Sequence, residues 1–344
     1  MLKYSLKRIL LAFITAFIII TLTFFLVKSL PVTRSFAPQE NIKLAYYLTE
    51  VDKGVLIDVG VESPQFGTYI EKITHNSIDH YFYKKPIIDQ YFAWLSRIVT
   101  KWDWGVSQFI SPNISTTTII MDRLPVSVKI NVISVIISVP LGILLGIVAG
   151  LNKNTWVDHT ISTLVMIFIS IPTFVIISFM MYFFAFKGSL PIRWPTDDAT
   201  TKVKVLAYLI PVLSLSFGSI CHYCRNVRAE LCEVMSSEYL ILARTKGLTR
   251  RQAIVRHALR NAFVPILPSI LGEFIGVFTG SMVLENLYNI NGIGDLYITA
   301  LKNQDYNVLF ADMAIFTTIG LLAGIVTDLS YGFIDPRIRM GAKK

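Results

Sequence analysis

Six apolar runs, each long enough to cross a bilayer, decide what this chain can fold into. The first extends from Ile9 to about Leu30. At 1.5 Å of helical rise per residue, about 20 residues cover the hydrocarbon core. Later runs fall at about 126–151, 159–186, 203–223, 262–287 and 309–334. Lipid offers no hydrogen bonds, so each run must satisfy its own backbone, and a helix does this. The expected fold class is therefore an all-α membrane protein with six transmembrane helices. A composition of 53% hydrophobic and 16% charged residues agrees, lying outside the range of ordinary soluble domains.

Charge sets the orientation. Lys3, Lys7 and Arg8 precede the first run, and no small-residue cleavage site follows it, so it reads as an uncleaved span with its N-terminus inside. Six spans then return the C-terminus to the cytoplasm. The loop 224–261 holds eight Lys and Arg, against four in 187–204 and one in 288–308, which places 224–261 inside. The net charge of +9 gathers beside the apolar runs, and no nucleic-acid recognition module accompanies it, so the pattern gives no nucleic-acid partner. The expected division is a first span at 1–30, an extracytoplasmic region at 31–120, a five-helix core at 121–336 and a basic cytoplasmic tail at 337–344.

Within the inside loop, residues 237–261 have the signals of a helical hairpin. Ser237 suits an N-cap and Glu238 the positive first turn, while Arg244 and Lys246 complement the opposite pole. Gly247 suits the left-handed position after the helix, with Leu248 beyond it. Thr249 and Gln252 form a capping box for a second helix ending near Asn261 and Pro265. Six Lys and Arg keep this hairpin out of lipid, so its apolar positions Leu240, Ala243, Leu248, Ile254 and Ala258 need a surface to pack against.

The spans carry three further signals. Gly142, Gly146 and Gly150, and again Gly272, Gly276 and Gly280, recur at every fourth position, which lets helix backbones approach within this chain or against a second one. Pro140, Pro172, Pro211, Pro265 and Pro268 begin or kink spans. Glu273 and Asp328 are intramembrane carboxylates, read either as pathway groups or as interhelical contacts. Cys221, Cys224 and Cys232 lack a complete ligand set for a metal and read as small apolar thiols.

The blocks Glu238–Leu248 and Arg256–Pro265 resemble the coupling loop of permease subunits in ATP-binding cassette importers, in the dipeptide, oligopeptide and nickel branch. The likeness extends to Asn291-Gly292-Ile293-Gly294, Asp305-Tyr306 and Asp335–Arg339, and upstream to Lys85–Tyr91, Asp103-Trp104-Gly105 and Asp122–Pro125. The first span is similar to that of the first, B-type permease of such systems. The resemblance implies the type I importer permease fold with an enlarged first external loop. It also implies an ATPase-coupling role for Glu238, Ala243, Arg244, Lys246, Gly247, Leu248, Arg256, His257, Arg260 and Asn261.

The implied partners are a second homologous permease, two cytoplasmic ATPases that bind the ATP and magnesium, an external solute-binding protein and membrane lipid. The setting would be a bacterial cytoplasmic membrane. No phosphate-binding loop of the G-x-x-x-x-G-K-[ST] type occurs in the chain, so energy must come from elsewhere and the chain is expected to be no enzyme and to hold no cofactor. The implied cargo is oligopeptide or dipeptide, with nickel or a metallophore complex as the alternative. An ion-coupled secondary transporter is the rival class, but no inverted repeat relates the two halves. Residues 31–84 have no counterpart in the resemblance; they dock an external partner, cap the pathway, or form a tolerated insertion.

Overall fold

The computed structural model describes residues 2–30, 40–60, 67–196 and 198–334; side chains are described from Ser5 to Ser330 within these ranges. The basic tail and the terminal block Asp335–Arg339 therefore lie outside the described residues. Five helical stretches are long and apolar enough to cross a membrane: Ser5–Ser29, Thr116–Leu151, Thr201–Met235, Leu267–Leu287 and Tyr306–Ser330. A sixth arises if the pair Trp156–Ser170 and Thr173–Phe186, bent by 100°, counts as one span. The bend has a local cause. Ile171 precedes Pro172, whose ring disfavours helical geometry there, and Ile171 is extended at φ −88° and ψ 122°.

The helical chain contains one feature that apolar patterning does not reveal. A three-stranded antiparallel sheet, β1 (Leu56–Val59), β2 (Thr68–His75) and β3 (Ile78–Lys84), follows the order β1-β3-β2. Asn76 and Ser77, at φ 51° and 63°, close the β2–β3 hairpin with a two-residue left-handed turn that suits the strand twist.

The chain forms two compact units. One comprises 14–125 and 293–318. It contains most of α1 (Leu2–Ser29), all of α2 (Glu40–Asp52), the sheet, α3 (Ile87–Lys101) and the helix Ile293–Asn303. Phe24, Tyr91, Trp94, Trp104 and Phe310 build its centre, with ring centroids 5.1–6.2 Å apart and several pairs edge to face. A second cluster of Tyr47, Leu56, Ile73 and Phe82 packs the sheet.

The other unit comprises 1–13, 126–292 and 319–344. Its centre is the long helix Leu209–Met235. Against this helix, a Cβ on Gly142 would come within 2.8 Å of Ile220 O, and one on Gly146 within 2.7 Å of Val227 Cβ. A Cβ on Gly150 would meet Leu231 at 3.0 Å. This glycine stripe therefore packs inside the chain, and at Gly142 and Gly146 only hydrogen fits. The stripe Gly272, Gly276 and Gly280 departs from expectation. The helix Leu267–Gly276 gives way to a tight turn at Val277–Thr279, and Gly280 has φ 66°, so the three do not share one helix face. Gly272 alone is close-packed, 2.8 Å from Thr327 Oγ1, while Gly276 faces open space.

Candidate coupling hairpin and buried polar contacts

The hairpin folds as its local chemistry dictates, with one exception at its start. Ser237 has the extended backbone of an N-cap, yet its Oγ donates to Val234 O at 2.6 Å instead of accepting from the helix. The first helix runs Glu238–Thr245. At its end Gly247 N donates to Arg244 O at 3.0 Å and Leu248 N to Ala243 O at 3.4 Å. These are the paired bonds of a Schellman ending, and they put Gly247 at φ 94°. The capping box is complete: Gln252 N donates to Thr249 Oγ1 at 3.3 Å, and Thr249 N to Gln252 Oε1 at 3.0 Å. Beyond Ala253 the helix widens into a π turn at Ile254–Ala258, then resumes as Leu259–Phe263.

Packing corrects the expected apolar face. Leu240 and Ala258 are buried within the chain, in a cluster with Leu231, Ala253 and Ala262, so the surface they need is the end of the long helix. Ala243, Leu248 and Ile254 are half-buried. The apolar groups turned outward are Ile241 at 59%, Leu242 at 55% and Val255 at 58% exposure. Glu238, Arg244, Lys246, Gly247, Arg256, His257, Arg260 and Asn261 are also exposed. Sequence periodicity missed Ile241 and Leu242 because Tyr239–Leu242 is one unbroken apolar run, which encircles a two-turn helix. The hairpin is thus rigid at its corner, anchored by small alanines, and presents an oily centre with a basic rim.

The intramembrane carboxylates each have a separate partner. Glu273 accepts from Ser219 Oγ at 2.6 Å, bridging two helices. Asp328 pairs with Arg8 at 2.6 Å. The two acids are not brought together. A more enclosed acid lies elsewhere: Asp158 is 1% exposed and receives the Arg228 fork at 2.5 and 2.8 Å, with Asn154 N and Ser162 Oγ on its remaining lone pairs. Nothing local in the sequence marks this partner, 70 residues away.

Several residues of the quoted blocks are structural pins. Asp305 Oδ2 accepts from Ser107 Oγ at 2.5 Å and from the amides of Gln108, Phe109 and Ile110 at 2.9–3.1 Å, which fixes that loop. Arg123 reaches Asp295 at 3.3 Å. Asp103 accepts from Gly105 N and from Lys53. A Cβ at Gly292 would lie 2.2 Å from Glu285 Oε2 and 2.3 Å from Ser127 Oγ, so the position has room for hydrogen alone. Cys221 and Cys224 are buried and unbridged, Cys232 is half-buried, and no cluster of metal-ligating side chains exists among the described residues.

Helices that cross the membrane, a glycine-packed core and a basic hairpin held at two caps define a multi-pass transport permease. Residues 142–340 match the model of the family described as binding-protein-dependent transport system inner membrane component. The chain belongs to this family: it is an inner-membrane permease of a binding-protein-dependent ATP-binding cassette importer, without catalytic activity or a cofactor of its own. Such importers work with an ATPase and a binding protein.

The dipeptide transport system permease protein DppB of Lactococcus lactis subsp. cremoris is 32% identical over 99% of this chain and 100% of that protein. The oligopeptide transport system permease protein OppB of Escherichia coli strain K12 is 30% identical over 98% and 100%. That of Haemophilus influenzae is 29% identical over the same shares. Residues 31–84 thus fall within the matched length. A crystal structure of an amino acid ABC transporter with histidines shares the fold, at a TM-score of 0.50 and 16% identity over 62% of this chain and 94% of that one.

Proposed function

We propose that this chain is one half of a peptide translocation pathway, and that the hairpin 237–261 is the lever by which a cytoplasmic ATPase drives it. Peptide as cargo is supported by full-length similarity to dipeptide and oligopeptide permeases. The carrying observation for the lever is the corner at Gly247, where two Schellman bonds and a capping box lock the angle between the helices while Ile241 and Leu242 face outward. A rigid corner transmits displacement; a flexible loop would absorb it. Ile241, Leu242 and Val255 fill an apolar cleft on the ATPase, and Arg244, Lys246, Arg256 and Arg260 meet an acidic rim. A second, homologous permease completes the pathway, and two ATPases bind the nucleotide. Both termini and the hairpin lie in the cytoplasm, with residues 31–120 outside.

Gly247→Val tests the lever. A β-branched residue in the left-handed region costs about 1–2 kcal/mol, enough to open the corner without unfolding a multi-helix protein. ATP hydrolysis by the assembled variant should continue while peptide uptake in proteoliposomes falls at least tenfold. Wild-type uptake by a fully assembled Gly247→Val complex would sink the lever.

A further inference from the structure

Away from the hairpin, the unit that carries the sheet contains a cavity of ≈ 670 Å³ among the end of α1, α2, the sheet and Asn307. That volume falls in the range of about 300–1,000 Å³ typical of small-molecule sites. Its wall is built from fixed polar groups, two of them enclosed: Glu50 is 4% exposed and Gln90 is 1% exposed. Asn307 organises one side, accepting from Lys28 Nζ at 3.0 Å, donating to Val106 O at 3.0 Å and reaching Glu50 Oε1 at 3.5 Å. Lys43, also on the wall, pairs with Glu71. Five charged side chains line the space, and these contacts account for four. The fifth, Lys84, forms no ion pair among the described residues.

The opposite requirement appears at Gln90. Its Nε2 donates to Lys85 O at 2.7 Å, which fixes the amide, and its Oε1 has no donor among the described residues. Burial raises the Glu50 carboxyl, and burial with Glu71 holds the Tyr47 phenol up at about 12. The wall is therefore net positive at Lys84 and rich in acceptors at Glu50 and Gln90. An acyl chain would strand these groups without hydrogen bonds. A ligand that satisfies both requirements carries an anion for Lys84 and N–H groups for Glu50 and Gln90.

We propose that this cavity is a second ligand site, one that takes a short peptide by setting its free carboxylate on Lys84 and its amino end against the Glu50–Gln90 wall. The choice of peptide rests on the peptide reading above; the cavity and its charge pattern do not. Such a site would hold peptide on the permease itself, separately from the external binding protein.

Trialanine binding to the full-length chain in lipid nanodiscs, without binding protein, tests this by calorimetry. Trialanine should bind, Lys84→Glu should weaken it at least tenfold, and trialanine amide, which lacks the carboxylate, should bind at least tenfold more weakly to the wild type. Lys72→Met, a surface lysine on the same sheet outside the cavity, should bind as the wild type does. Absence of wild-type binding, equal binding by Lys84→Glu, or equal affinity for inorganic phosphate would each overturn the site. ATP-driven trialanine uptake by the complete importer, measured in parallel, separates the two ideas. Uptake without nanodisc binding refutes the second site and leaves the peptide reading standing. Carboxylate-dependent binding without uptake does the reverse.

Discussion

Glu50 shows how one enclosed charge ties stability to pH. Its carboxyl is held above the ordinary glutamate range, first by burial, against the opposing pull of Lys28 and Lys53. The folded chain therefore binds this proton more tightly than the unfolded chain does. Its favourable contribution is complete below the ordinary glutamate value of 4.5 and is lost as pH rises through the higher folded value. Glu50→Gln keeps an acceptor for Asn307 and removes the ionisation. Thermal unfolding in detergent should show the variant gaining on the wild type as pH increases from 4.5 toward 8, with no gain at pH 4. A constant difference across that window would mean that Glu50 titrates as it does in the unfolded chain. Residues like this one are invisible to sequence reading, because an acid in a polar loop and an acid walled in by Lys28, Asn307 and Tyr46 are written with the same letter.

At the scale of elements, the glycine stripe of the helix Thr116–Leu151 separates packing from bare pattern. Gly146 needs its missing side chain, since a Cβ there would sit 2.7 Å from Val227 Cβ and 2.8 Å from Cys224 O. Gly146→Val should cost about 1–3 kcal/mol by forcing two helices apart, seen as a lower unfolding temperature in detergent. Gly276→Ala, with nothing within 4 Å, should leave that temperature unchanged. Equal effects at both positions would show that propensity, and not close approach, governs them.

The same contrast explains what could be read in advance. Span positions, the Gly247 corner and the Thr249–Gln252 box depend on neighbours within four residues and were legible. The Arg228 grip on Asp158 depends on residues 70 apart, and the outward turn of Ile241 depends on Leu240 finding Leu231. The small sheet escaped because Tyr69–Thr74 is short and mixed in polarity, and Asn76-Ser77 marks a turn only once flanking strands are known.

For the whole molecule, the proposed orientation rests on charge. In the proposed topology the hairpin, with its six Lys and Arg, is cytoplasmic, because basic residues resist export. The same proposal puts residues 31–120, with the sheet and its cavity, outside. Arg251→Cys on the hairpin and Ile78→Cys on the sheet each provide an exposed thiol. Of the native thiols Cys221 and Cys224 are buried, and both variants carry Cys232→Ser to remove the half-buried third. In intact cells a membrane-impermeant maleimide should label Ile78→Cys within minutes and leave Arg251→Cys unmodified until the membrane is opened. Inside-out vesicles should reverse the order. Labelling of both from one side would end the coupling proposal and the external ligand site together, because each requires its own compartment: the hairpin must meet an ATPase, and the cavity must meet peptide before it crosses.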